Sequence, residues 1–384
     1  MYIIAGMLPR PEYINQIEKS FRIHPVTALL GPRQCGKTTL ARLISEKQKT
    51  EIFDLENPVD TQRLSVPMQA LADLKGLVII DEVQRKPELF ELLRVLVDRP
   101  DQDTRFLLLG SASPHLVKGV SESLAGRIGF VDLAGFQLWE VGNESMERLW
   151  IRGGLPNSFL PDSQSASIDW RENYIRTFLE RDIPQLGISI ASETLRRFWT
   201  MVAHYHGQVW NASEFARSLG SSEATARRYL DILSGAYMIR VLPPWFENLK
   251  KRQVKAPKIY IHDSGLFHSL LQITDLKSLQ GHPKVGASWE GFAIENIIRR
   301  FRSREAYFWA THAGAELDLM IIAGGKRYGF EFKYTDAPGR SKSMVTAIND
   351  LGLERLWVIY PGTQKYKLDD KIEVTPLFDF LDDL

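Results

Sequence analysis

The segment Gly31-Pro-Arg-Gln-Cys-Gly-Lys-Thr38 follows an apolar run, Val26-Thr-Ala-Leu-Leu30, and opens a helical pattern from Thr38 to Lys47. A strand that ends in G-x-x-x-x-G-K-T and passes directly into a helix is a phosphate-binding loop, and few folds can present one. Its glycines let backbone amides curl around phosphate oxygens. Lys37 carries compensating charge to the terminal phosphates, and Thr38 offers its hydroxyl to magnesium. The residues expected around a nucleotide are therefore Gly31, Pro32, Arg33, Gln34, Cys35, Gly36, Lys37, Thr38 and Thr39. Cys35 stands at a variable position of the loop and reads as a small filler.

Further apolar runs continue the pattern: Glu51-Ile-Phe-Asp-Leu55, Leu77-Val-Ile-Ile80, Phe106-Leu-Leu-Leu109 and Gly129-Phe-Val-Asp-Leu133. Continuous apolar strands separated by helices predict a parallel sheet covered on both faces, an open α/β domain over residues 1–148. The run at 77–80 ends in Asp81-Glu82, where a magnesium-associated acid and a water-activating base are expected. The run at 106–109 ends in Gly110-Ser-Ala-Ser113, where either Ser111 or Ser113 can sense the terminal phosphate. Arg127 lies where a cation could stabilise transition-state charge, in its own subunit or in a neighbour of a homo-oligomer; a surface salt bridge is the plainer reading.

From Trp150 the pattern turns helical. Asn211-Ala-Ser-Glu214 caps a short helix, Gly220 makes a turn, and a second helix runs to about Leu233. Two helices across a glycine turn, followed by the strand-like Tyr237–Leu242, predict a helical connector ending in a winged helix over residues 149–257. Such a module packs against protein or contacts DNA or RNA. Lys250-Lys-Arg252 with Lys255 and Lys258 tilts the reading toward phosphate contact, with a solvated loop as the bland explanation.

The remaining residues, 258–384, predict a small α/β domain. Glu290 lies on a helix, Glu316-Leu-Asp318 on a strand, and Gly329-Phe-Glu331-Phe-Lys333 on the next. Side chains two apart on a strand share a face, so Glu331 and Lys333 project together while Phe330 and Phe332 point into the core. Asp318, on the adjoining strand, can join them. Acids gathered this way suit magnesium or manganese, with Asp318 and Glu331 as ligands, and a lysine beside them can orient the water that cleaves a phosphodiester. A salt pair is the bland alternative. Arg299, Arg300, Arg302 and Arg304 could form a basic strip along a nucleic-acid backbone, or a solvated helix end.

Lys plus Arg (48) nearly balances Asp plus Glu (47), so nucleic-acid contact must come from local patches. The 384 residues contain one cysteine and no apolar run near the ~18 of a membrane span, and they start without a signal-type segment. These features predict a cytoplasmic protein with no membrane contact.

The phosphate loop, Asp54-Leu-Glu56, Ile-Asp-Glu-Val-Gln84-Arg85, Gly-Ser-Ala-Ser, Ser123-Leu-Ala-Gly-Arg127, Gly153-Gly-Leu-Pro156 and Arg181-Asp-Ile183 together resemble prokaryotic AAA-type ATPases. They resemble the group whose carboxy-terminal half is domain of unknown function 4143, and nearly the whole chain is covered. That group commonly has Leu-Ala-Pro-Leu-Ser where this chain has Leu133-Ala-Gly-Phe-Gln137. The carboxy-terminal spacing resembles the PD-(D/E)xK nuclease superfamily, which the group resemblance also implies. Two readings follow. Either a Mg2+-dependent ATPase admits DNA or RNA to a nuclease-like site at Glu290, Asp318, Glu331 and Lys333, or ATP drives a switch whose distal region only recognises a partner.

Overall fold

A computed structural model describes residues 8–100, 103–111, 122–246 and 253–384. The chain forms two compact units, one running through Gly135 with Gly235–Tyr237, the other Phe136–Ser234 with Met238–Leu384.

The first unit is built on five parallel strands: β1 (Val26–Gly31), β2 (Thr50–Asp54), β3 (Gly76–Asp81), β4 (Thr104–Ser111) and β5 (Ile128–Asp132). Their order across the sheet is β2-β3-β4-β1-β5. The central strands are apolar along their length because helices cover both faces, and Val26, Ala28, Leu30, Val78, Ile80, Phe106 and Leu108 form part of one buried cluster. Apart from Ala28, each of these side chains contributes roughly 1.5–3 kcal/mol on burial, so the carboxyl ends of β1, β3 and β4 rest on a well-buried core. This is the parallel α/β arrangement that the apolar runs predicted.

In the second unit, helix Ser192–His204, β6 (Gln208–Val209), helices Ala212–Leu219 and Glu223–Gly235, β7 (Ile239–Leu242) and β8 (Lys258–Ile261) follow one another. The three strands pair antiparallel with β8 in the middle. The boundary expected at 257/258 therefore runs through a paired sheet. Gly220 turns the chain between the two short helices in the left-handed conformation, φ 63°. Lys250-Lys-Arg252 lies outside the described residues.

A six-stranded mixed sheet completes the unit: β9 (Ala306–Ala310), β10 (Glu316–Ala323), β11 (Lys326–Phe332), β12 (Arg355–Tyr360), β13 (Tyr366–Lys367) and β14 (Ile372–Pro376), in the order β13-β14-β12-β11-β10-β9. β9, β10 and β11 are antiparallel neighbours, whereas β12 lies parallel to both β11 and β14. Helix Lys342–Leu351 buries Met344, Ala347 and Leu351 against this sheet. Among the described residues no helix is long and apolar enough to cross a membrane.

Candidate functional site

The phosphate loop leaves β1 at Gly31 and enters helix Lys37–Ser45. Gln34 (φ 59°) and Gly36 (φ 99°) are left-handed, and such turns aim successive amides into one concavity suited to an anion. Gln34, Thr38 and Thr39 are exposed, Arg33 is half-buried, and Gly31, Pro32, Cys35 and Lys37 are buried. The Lys37 ammonium donates to the carbonyls of Gly31 (3.1 Å) and Pro32 (2.8 Å). Behind the loop, Arg10 donates to the carbonyls of Cys35 (3.3 Å), Ala134 (2.8 Å) and Gly135 (3.0 Å), tying the loop to the segment after β5. Sequence reasoning missed Arg10, which lies outside the motif and meets it only through the fold. The buried Cys35 contacts the Leu133 carbonyl at 3.8 Å, in keeping with a filler.

Because β4 lies between β1 and β3, the ends of the three strands form one row. Thr38 donates its hydroxyl to Asp81 Oδ2 at 2.6 Å, so the two groups expected to share a magnesium ion already stand together. Glu82 follows with left-handed backbone, φ 54°. The Gln84 carboxamide donates to Glu82 Oε2 and to Ser111 Oγ (3.0 Å), linking the expected base to the expected phosphate sensor. Among the described residues the buried Gln84 Oε1 has no hydrogen-bond partner. The concavity and the Thr38–Asp81 pair fit a nucleoside triphosphate with magnesium. Ser113 lies outside the described residues.

Arg127 is elsewhere. Its guanidinium makes paired bonds to Asp98 (2.6 and 2.7 Å), and its carbonyl accepts from Val26 N–H at the opposite end of β1 from the loop. At roughly 3.3 Å per residue, the length of β1 puts about 17 Å between Arg127 and its own phosphate loop. The expectation that Arg127 could act within its own subunit is corrected by this separation.

In the second unit, Phe330 and Phe332 are buried as the alternation required, and Glu331 and Lys333 share the other face, joined at 2.9 Å. Leu319 pairs with Phe330, which makes Asp318 and Glu331 the next residues along two antiparallel strands. A register shift between Leu317 and Met320 re-aims this stretch, and Asp318 Oδ2 accepts from Phe332 N–H at 3.1 Å. Burial, reinforced by the charge of Asp318 and opposed by Lys333, raises the Glu331 carboxyl to about 8. Glu290 enters from helix Val285–Phe301, and burial raises it to about 7 against the pull of Lys258.

Lys258 is the residue that sequence reasoning did not place here. Its ammonium, on β8, lies 2.5 Å from Glu316, 3.4 Å from Glu290 and 3.7 Å from Asp318. Tyr260, two residues along the same strand, donates to Glu290 at 2.6 Å. Among the described residues no three His, Cys, Asp or Glu side chains are arranged to hold a metal ion. As folded, these acids surround an ammonium and do not fit a divalent ion. Of the expected basic strip, Arg299 turns toward Glu295 (3.4 Å) and Arg300 donates to the Leu381 carbonyl (2.9 Å), leaving Arg302 and Arg304 exposed.

Comparison with known families places an AAA domain on residues 24–142 and two domains of unknown function, DUF8612 on 143–277 and DUF4143 on 285–380. Uncharacterised proteins of Mycobacterium bovis and Mycobacterium tuberculosis are each 50% identical over 374 residues, covering 97% of this chain and 85% of their own length. Among solved structures, a Walker-type ATPase of Pyrococcus abyssi aligns with a TM-score of 0.46 at 17% identity, over 69% of this chain and 96% of that one.

Proposed function

The chain belongs to the AAA-type ATPases that carry DUF4143 toward the carboxy end, and from that premise we propose that it binds and hydrolyses ATP with Mg2+ and that its nucleotide state controls a nuclease-like, nucleic-acid-acting carboxy-terminal region. The observation that carries the first part is the row formed by Lys37, Thr38, Asp81, Glu82 and Ser111 at the carboxyl ends of three neighbouring strands. Thr38 and Asp81 would hold magnesium, which supplies charge neutralisation on the phosphates. Lys37 leaves the loop carbonyls for the terminal phosphates. Glu82 takes a proton from the attacking water as the bond from the γ-phosphorus to the ADP oxygen breaks, and Gln84 holds Glu82 in register with Ser111 at the γ-phosphate.

For the rest of the chain, the succession helix, strand, helix, helix, strand, strand with β8 central supports a winged helix. Arg196, Arg197, Arg217, Arg227 and Arg228 are exposed on its three helices, and local positive charge of this kind suits a nucleic-acid backbone. The placement of Asp318, Glu331, Lys333 and Glu290 supports a nuclease-like fold. Lys258 among those acids favours the second reading, in which the region recognises a partner without cutting it.

The ATPase assignment is tested by Lys37→Ala, which is expected to abolish nucleotide binding, and by Glu82→Gln, which is expected to bind ATP normally while turning over at least ~10² more slowly. Undiminished turnover in Glu82→Gln removes the base assignment.

A further inference from the structure

We propose that Arg10 is a positioning residue for nucleotide binding: by holding the Cys35 carbonyl behind the phosphate loop, it turns the Gly36 N–H toward the phosphates. The inference rests on the ATPase reading of the loop. Arg10 is buried and stands immediately before helix Pro11–Ile23, outside the motif, with left-handed backbone (φ 47°, ψ 53°). One nitrogen of its guanidinium donates to the carbonyls of Cys35 and Ala134, the other to that of Gly135, and the group lies 4.6 Å from the centre of the Tyr13 ring. Carbonyls from two chain segments meet there away from water, and each needs a donor. A guanidinium, planar and with several N–H groups in a fixed fork, serves them together.

The consequence for the loop follows from peptide geometry. The Cys35–Gly36 peptide is trans, so its C=O and N–H point in opposite directions. A carbonyl held toward the buried Arg10 therefore sends the Gly36 N–H the other way, into the concavity that Gln34 and Gly36 form with their left-handed backbone. The wall behind the start of the loop is already close: a Cβ at Gly31 would lie 2.1 Å from the Leu133 carbonyl, and Leu133 N–H donates to the Leu30 carbonyl at 2.7 Å. With Gly31 fixed in this way, the peptide between Cys35 and Gly36 is the part whose direction Arg10 sets.

The experiment measures ATP binding by calorimetry, steady-state turnover and the unfolding midpoint of the full chain for wild type, Arg10→Met and Arg10→Lys. It also follows the rate at which Cys35, the chain's one cysteine, reacts with dithionitrobenzoate. Folded Arg10→Met is expected to bind ATP ~tenfold or more weakly, the factor for one lost hydrogen bond to a charged group, with the loss appearing in KM rather than in kcat. Its Cys35 is expected to react faster than in wild type and to be slowed again by ATP. Arg10→Lys, whose ammonium can serve the two carbonyls that share one guanidinium nitrogen, is expected to recover most of the affinity. If Arg10→Met does not fold, Arg10→Gln, which keeps a donor on a shorter side chain, is expected to show the same loss. Equal ATP affinity in wild type and the folded variant, or a fall in kcat with KM unchanged, overturns the role of Arg10 and leaves the ATPase reading intact. A wild type that binds no ATP overturns both.

Discussion

His268 shows how completely a single buried residue can be specified. Trp150 Nε1 donates to Ser288 Oγ (2.9 Å), Ser288 Oγ lies 2.8 Å from His268 Nε2, and Nδ1 lies 3.1 Å from the Ile151 carbonyl, so that carbonyl takes the Nδ1 proton and the serine hydroxyl can serve a neutral Nε2 as donor. Burial lowers its pKa to about 3, as it does for His206, whose Nδ1 accepts from Ile261 N–H at 3.0 Å. The folded chain leaves both rings unprotonated while the unfolded chain protonates them below about 6.5, so their contribution to stability is present above 6.5 and is lost as pH falls toward 3. Between pH 7.5 and 5 the loss is about 2 kcal/mol per ring. Glu331 and Glu290, raised to about 8 and about 7, act in the opposite direction over the same range, so the overall slope does not isolate the histidines. The difference does. Urea unfolding of wild type and His268→Asn at the two pH values is expected to show wild type losing about 2 kcal/mol more than the variant on acidification. Parallel behaviour of the two proteins would falsify the neutral-ring assignment.

At the scale of elements, legibility tracked how local each signal was. The five parallel strands could be read because continuous apolar runs bounded by helices have few other uses, and the faces of Phe330, Glu331, Phe332 and Lys333 followed from alternation alone. The contact of Asp318 with the backbone beside Glu331 needed the strand register as well. Lys258 was grouped with Lys250-Lys-Arg252 as charge for a phosphate, yet its ammonium is buried among acids from 290, 316 and 318 that nothing near it in sequence announces. Short strands such as β9 and β14 escaped for a related reason: β14 ends in proline and buries Glu373 and Thr375 alongside its apolar residues, which hides any pattern. Helix Val285–Phe301 provides a test of packing at this scale. A Cβ at Gly291 would lie 2.2 Å from His206 Nε2, whereas Gly286 in the same helix has nothing within 4 Å. Gly291→Ala is expected to cost about 1–3 kcal/mol by overpacking, and Gly286→Ala to gain up to about 1 kcal/mol from helix propensity. Denaturant midpoints that move in the same direction for both would contradict the close approach to His206.

For the molecule as a whole, the placement of Arg127 makes its proposed catalytic role testable by mixing copies. The residue stands at the amino edge of the sheet, some 17 Å by strand length from the loop of its own chain, and no rotamer of an arginine spans that gap. If Arg127 stabilises transition-state charge, the phosphate it meets belongs to a second copy. Its present partner does not hold it firmly: Asp98 is exposed, and an ion pair open to solvent is screened by water and salt, so a triphosphate can displace it. Arg127→Ala is therefore expected to bind ATP as wild type does while losing turnover, by ~10³ or more if the residue works as an arginine finger. Lys37→Ala fails for a different reason, the loss of the nucleotide. Mixing the two inactive proteins creates interfaces in which an intact Arg127 faces an intact loop, so activity is expected to return, and turnover per subunit in wild type is expected to fall on dilution. If demonstrated mixed oligomers stay inactive, or if turnover is independent of concentration down to the monomer, Arg127 is the surface salt bridge its contacts with Asp98 describe, and the catalytic charge must come from elsewhere in the chain.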